Sequence, residues 1–277
     1  MINGDNISGK LNKFLYFKQC LINHKKGTTE NIKIKKISLN NNINNFEGSP
    51  ARILSNLFWS TVDWSNLTKE LGDKIHFMDL GCGSGSYYTE FLNITNKDFG
   101  SYMGIDIYKH NDYPANLRHI LDSAENAHKY LKDETNTIVS QSALEHIEKD
   151  FETIYNITET LIKSNKKFIQ IHLVPASSTL WTYLFHGWRQ YSLKNIGYIF
   201  NMLNKKYEIN TTVVPLGSWK SFLVHLRYIT FPTYVKRQDW SDDKKSNTKI
   251  VKAVSNELSS SGKIATFWVL LISSKDV

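Results

Sequence analysis

Cysteine is nearly absent: Cys20 and Cys82 are the only two in 277 residues, which excludes a disulfide framework and leaves no spacing that reads as a zinc site. Long apolar runs are also missing, and none approaches the ~20 residues that a membrane-crossing helix needs. The opening residues, Met1-Ile2-Asn3-Gly4-Asp5, lack the basic-then-apolar order of a secretory signal. No internal repeat is visible. These absences point to a cytoplasmic protein with no membrane insertion and no metal. What is present suffices for a core, with 41% hydrophobic and 13% aromatic residues in a length that suits one elaborated domain. A net charge of +8 raises the question of nucleic acid. The lysines, however, are scattered, as in Lys33-Ile34-Lys35-Lys36, rather than massed on one segment. Nucleic acid is therefore disfavoured, and an anionic small substrate is kept.

The richest stretch runs from Ile75 to Tyr88, with Asp79-Leu80-Gly81-Cys82-Gly83-Ser84-Gly85 at its centre. An apolar strand-like run meets three glycines at alternate positions, and a helix-like segment follows. Such a turn lets a ligand approach bare backbone at a helix N-terminus. A phosphate-cradling loop would need Lys-Ser/Thr after its last glycine, and Ser86-Tyr87 stands there. A dinucleotide turn would need Gly or Ala where Ser86 sits, which also disfavours a nicotinamide oxidoreductase. About 20 residues on, a second strand-like run ends at Asp106-Ile107, and a carboxylate at that interval can accept from both hydroxyls of a ribose.

The Asp-Leu-Gly-Cys-Gly-Ser-Gly spacing resembles motif I of the class I S-adenosylmethionine (SAM)-dependent methyltransferases. Two further segments strengthen the resemblance, Ile120 to Glu125 and Thr137 to Ile147, the latter carrying Leu144-Glu145-His146. It covers roughly residues 75 to 175. It implies SAM as cofactor and S-adenosyl-L-homocysteine (SAH) as product. The cofactor would be held by Asp79, Gly81, Cys82, Gly83 and Gly85 at the turn, and by Asp106 and Ile107 at the sugar. Asp122, Ser123 and Ala124 would meet the adenine, with Ser140, Gln141 and His146 following the fourth strand. The chain departs from the pattern at Asn136-Thr137, where many relatives carry an Asp.

Strand candidates at 75–80, 101–107, 136–141 and 167–174 alternate with helix candidates at 86–95, 123–132 and 144–164. That alternation predicts parallel pairing with crossover helices. Two late strands, 207–214 and 265–272, bring the located strands to six, and the resemblance implies a seven-stranded, mostly parallel, doubly wound Rossmann-like α/β sheet. By the resemblance they form an antiparallel hairpin at its edge. Residues 49–71 carry apolar side chains at helical spacing and read as one amphipathic helix. Residues 1–48, polar and Asn-rich, read as a weakly packed, partly disordered lead-in to a domain spanning 49–277. Two aromatic insertions, about 175–204 and 215–262, would cap the substrate.

Alignment and water exclusion dominate methyl transfer, and a hydroxyl acceptor gains from a base. His172, His186, Arg189 and Tyr191 are the candidates to face the acceptor. His186-Gly187-Trp188-Arg189-Gln190-Tyr191 joins a titratable ring, a guanidinium and flat aromatic surfaces. That run also resembles, more weakly, methyltransferases of bacterial surface-polysaccharide synthesis. The resemblance implies O-methylation of a small or glycan-linked acceptor. RNA or protein methylation, or a non-catalytic SAM-binding module, are the alternatives.

Overall fold

Neighbouring residues of a strand point to opposite faces, and Phe77 and Met78 divide the molecule accordingly. The computed structural model describes residues 1–39, 48–95, 99–236, 244–255, 265–275 and 277. Within it Phe77 packs among residues of the helices on one face, while Met78 joins the cluster on the other. The sheet is sandwiched between two helical layers.

The chain opens with α1 (Lys10–Asn23), α2 (Pro50–Thr61) and α3 (Trp64–Leu71). Then β1 (His76–Leu80), α4 (Ser86–Ile94), β2 (Ser101–Asp106) and β3 (Arg118–Leu121) form the first half of the sheet. The second half follows with β4 (Thr137–Gln141), α5 (Asp150–Lys163), β5 (Ile169–Pro175), α6 (Leu180–Tyr183) and α7 (Leu193–Asn204). It ends with β6 (Ile209–Leu216), α8 (Trp219–His225), α9 (Lys244–Ser255) and β7 (Phe267–Ser274). Among the described residues the strand order is β3-β2-β1-β4-β5-β7-β6. The first five strands pair in parallel, and β7 lies antiparallel between β5 and β6. The expected doubly wound sheet and antiparallel edge are both present.

Residues of α2, α3, α4 and α9 bury Trp59, Leu67, Phe91 and Ile250 against one face of the sheet. Residues of α5 and α7, such as Ile157 and Phe200, cover the other. The single helix expected over 49–71 is two, because Asp63 stops one and starts the next. Its carboxylate accepts the Asn66 N–H at 2.9 Å, a side-chain cap at the start of α3. The expected helix over 123–132 is a short 3₁₀ segment, Ala124–Lys129, and that over 144–164 splits into a 3₁₀ turn, Leu144–His146, and α5.

The lead-in is a correction. Residues 1–39 are not a loose tail: Tyr16 and Cys20, one turn apart on α1, are fully buried with Leu180. The Tyr16 hydroxyl donates to the His186 carbonyl at 2.7 Å, and the Gly4 N–H donates to the Gly187 carbonyl at 2.7 Å. Further on, Ile34 bridges to Val213 along the outer edge of β6. A few large apolar side chains outweigh the polar composition that suggested disorder. The Asn-rich run 40–45 lies outside the described residues. No helix among the described residues is long and apolar enough to cross a membrane.

Candidate functional site

After β1 the chain reverses through Gly81, Gly83 and Gly85, with φ of 69°, 53° and 81°. All three lie in the left-handed region, where a side chain is strained. At Gly81 a Cβ would also sit 2.6 Å from that of Ala143, in the turn after β4. The turn is tied to β2: the Gly81 N–H donates to the Ile105 carbonyl at 2.8 Å, and the Gly83 N–H donates to Asp106 Oδ2 at 2.8 Å. Asp106 Oδ1 accepts the Tyr108 N–H at 2.9 Å. A carboxylate offers about four lone-pair directions, so roughly two stay open for a ligand.

A cavity of about 430 Å³ opens beside this turn. That is within the range of ligand sites, roughly 300–1,000 Å³. It lies outside the carboxyl ends of β1, β2 and β4, where the chain turns from building one half of the sheet to the other. Ligands of open α/β sheets bind at that crossing. Of the expected cofactor residues, Gly81, Asp106, Ile107, Ser123, Ala124 and His146 line it.

The remaining expected cofactor residues do not line it. Gly83 and Gly85 shape the turn through their positive φ, and Gly85 packs against Leu117 and Pro114. Cys82 fills the space above Gly104 of β2, as a small buried residue. The Asp122 carboxylate instead accepts from Asn126 Nδ2 at 3.0 Å and from the Tyr130 hydroxyl at 2.8 Å. Ser140 is wholly buried and meets His172, and Gln141 accepts the Trp59 indole N–H at 2.9 Å. The cavity also has walls that sequence reasoning left out, notably Ser142 and Glu148, while Trp188, from the expected capping insertion 175–204, lines it too. Ser142 is one of four non-glycine residues described with positive φ, 52°, a conformation that concentrates at functional sites. Its only sequence signal was its place just past a strand.

Asp79 lies beneath the turn, 3% exposed, and accepts the Tyr102 hydroxyl at 2.6 Å. Burial pushes its carboxyl up to about 7, with the Tyr102 bond opposing and nearby Asp106 adding to the rise. A carboxyl whose folded pKa exceeds its unfolded 3.8 contributes stability that is full below about pH 4 and lost as pH climbs through 7. The interval corresponds to roughly 4 kcal/mol. Asp79→Asn should therefore melt higher than wild type at pH 8, with the difference shrinking toward pH 4. A difference in melting temperature that does not change with pH would remove this assignment.

On the acceptor side two candidates are knotted into the core. His172 is fully buried in β5, with Nδ1 2.9 Å from Ser140 Oγ and Nε2 3.3 Å from Gln170 Oε1. Burial pushes its ring down to about 3, so it is a neutral sheet residue and not an acceptor-facing base. Tyr191, also fully buried, donates its hydroxyl to Asp150 Oδ2 at 2.5 Å. Arg189 pairs with Asp150 Oδ1 at 3.2 Å and lies over the Phe151 ring, 4.5 Å from its centroid. Its guanidinium is engaged there and does not line the cavity. His186 alone of the four stays near the mouth, its ring crossing that of His146 edge to face at 4.6 Å.

No family model matches the chain, and no curated protein matches it. Solved structures give looser likenesses. A SAM-dependent methyltransferase from Archaeoglobus fulgidus aligns at TM-score 0.48 and 12% identity, over 82% of this chain and 95% of that one. The plantazolicin methyltransferase BamL, solved with a desmethyl analogue of plantazolicin and SAH, aligns at 0.46 and 13%, over 80% and 85%. The methyltransferase domain of a bacterial Hen1 aligns at 0.46 and 12%, over 79% and 99%. Likeness at this level carries no argument about what this chain does.

Proposed function

We propose that this chain is a class I SAM-dependent methyltransferase acting on an oxygen of a small or glycan-linked acceptor. The observation that supports it is the pairing of a bare glycine turn with Asp106 at one cavity, at the crossing of the sheet's two halves. The fit is steric as well as chemical: a Cβ at Gly81 would collide with Ala143 on the cavity wall. Asp106 would hold the ribose hydroxyls, and Ser123 and Ala124 would meet the adenine. SAM supplies an activated methyl group when bound. The protein's own task is then to exclude water and aim the acceptor oxygen along the transfer line.

Of the two proposed capping segments, 175–204 supplies Trp188 to the cavity, while no described residue of 215–262 lines it. Part of the latter segment, Trp240 included, lies outside the described residues. A planar indole at the mouth suits the apolar face of a sugar ring. An anionic acceptor would still be favoured by the net charge of +8, although Arg189 is not its partner.

Calorimetry with SAH should show single-site binding in the micromolar range, roughly −8 kcal/mol. No heat and no thermal shift at millimolar SAH would retire the proposal. Trp188→Ala should lower kcat/KM for the acceptor by about tenfold, a loss of roughly 1.4 kcal/mol, and disturb SAH affinity far less. An unchanged kcat/KM would move the acceptor elsewhere.

A further inference from the structure

Asp5 reaches the cavity mouth from the far end of the chain. Its Oδ2 lies 2.7 Å from His146 Nδ1, and its Oδ1 lies 3.6 Å from His186 Nδ1. One donor atom from each of Asp5, His146 and His186 falls within 4.8 Å of the other two. Behind them, Glu145 Oε1 stands 3.7 Å from His186 Nε2. The Glu145 side chain is 1% exposed, and neither of its oxygens has a hydrogen-bond partner. A carboxylate so placed is costly unless positive charge lies close by. Two carboxylates gathered with two imidazoles form a donor cluster of the kind that a divalent cation would hold together.

We propose that Asp5, His146 and His186 bind one divalent transition-metal ion of the zinc class. The donor set is right for such an ion: two imidazoles and one carboxylate. Donor bonds of about 2.0–2.2 Å in a tetrahedral site set donors about 3.4 Å apart. The Asp5 Oδ2–His146 distance of 2.7 Å must open somewhat, the Asp5 Oδ1–His186 distance of 3.6 Å is already close, and the carboxylate would turn to bring one oxygen to the ion. Glu145 then has a definite task. Closing the 3.7 Å gap on ion binding, it would accept the His186 Nε2–H and fix the tautomer that turns the Nδ1 lone pair to the ion, the usual support for a metal-bound imidazole. The expectation of a metal-free site came from cysteine spacing; these donors are 40 and 141 residues apart and leave no local pattern.

Three protein donors leave a fourth position open, the arrangement of reactive zinc sites. His146 also lines the cavity, which puts this cluster at its edge. Resting on the methyltransferase reading, an acceptor hydroxyl there would lose its proton more readily and be held in place.

The test uses tag-free full-length protein stripped with chelator, titrated with Zn²⁺ and with Co²⁺. One ion per chain is expected, with cobalt absorption of a four- or five-coordinate nitrogen–oxygen site. Asp5→Asn and His186→Ala should each weaken ion binding by tenfold or more, and Glu145→Gln by about tenfold. No uptake by the wild type, or unchanged affinity in Asp5→Asn and His186→Ala, overturns the site. Should those variants melt far below wild type, the wild-type stoichiometry and cobalt spectrum decide. SAH is titrated into the same samples: SAH binding without ion uptake sinks the metal site alone, and ion uptake without SAH binding sinks the proposed reaction alone.

Discussion

Asp106→Ala is expected to weaken SAH binding about a hundredfold. Hydrogen bonds to a charged acceptor are worth roughly 1.5–3 kcal/mol each, and two such bonds to a ribose are at stake. A hundredfold loss corresponds to about 2.7 kcal/mol, below their simple sum because water competes for the freed hydroxyls. The same carboxylate holds the Gly83 and Tyr108 N–H groups, so the substitution also loosens the turn. Asp106→Asn separates the two effects. Its amide oxygen can keep one backbone contact while its charge is gone, and its affinity should fall between the other two proteins. Calorimetry at matched pH reads the series. If Asp106→Ala binds SAH as tightly as wild type, the cavity does not hold the cofactor in the proposed way.

Asp150→Ala should be the most destabilising single change considered, at about 3–5 kcal/mol. Asp150 is 1% exposed at its side chain and joins the Arg189 guanidinium to the Tyr191 hydroxyl. Removing it leaves a cation at 12% exposure and a buried hydroxyl, neither with its carboxylate. For a chain of this size the loss amounts to a melting temperature lower by about 10 °C. Tyr191→Phe removes one hydrogen bond and leaves the ion pair, so roughly 1–2 kcal/mol is expected. Thermal and urea melts check both. Equal losses for the two variants would show that the ion pair itself contributes little.

The contrast between these two predictions shows what the sequence could reveal. The glycine turn, Asp106 and the alternation of strands and helices are local signals, each contained in a run of about 20 residues. They placed the sheet and part of the cavity wall, while the sheet's antiparallel edge followed from the family resemblance. β3 escaped notice as a strand because it is only four residues long and two of them, Arg118 and His119, are polar, so Ile120 and Leu121 are too short an apolar run to stand out. Asp150, Arg189 and Tyr191 meet across 39 and 41 residues, so Arg189 and Tyr191 looked like an acceptor site when they are a core contact. His172 misled for a related reason. Its ring satisfies itself against Ser140 on the neighbouring strand, and only strand pairing reveals that. Asp5 and Glu145 could not be found by spacing at all.

The strand bridge from Ile34 to Val213 has a consequence for how the molecule behaves when crowded. An unpaired sheet margin invites a second molecule to add on and polymerise. Here the Val213 N–H donates to the Lys33 carbonyl and the Lys35 N–H donates to the Val213 carbonyl, both at 2.9 Å, so the chain covers the middle of its own outermost strand, with a lysine on either side of Ile34. Pro215, without an N–H to offer, lies on the same strand. Trimming the first 36 residues would therefore do more than open the cavity mouth: it would bare part of the sheet's margin to pairing with a second chain.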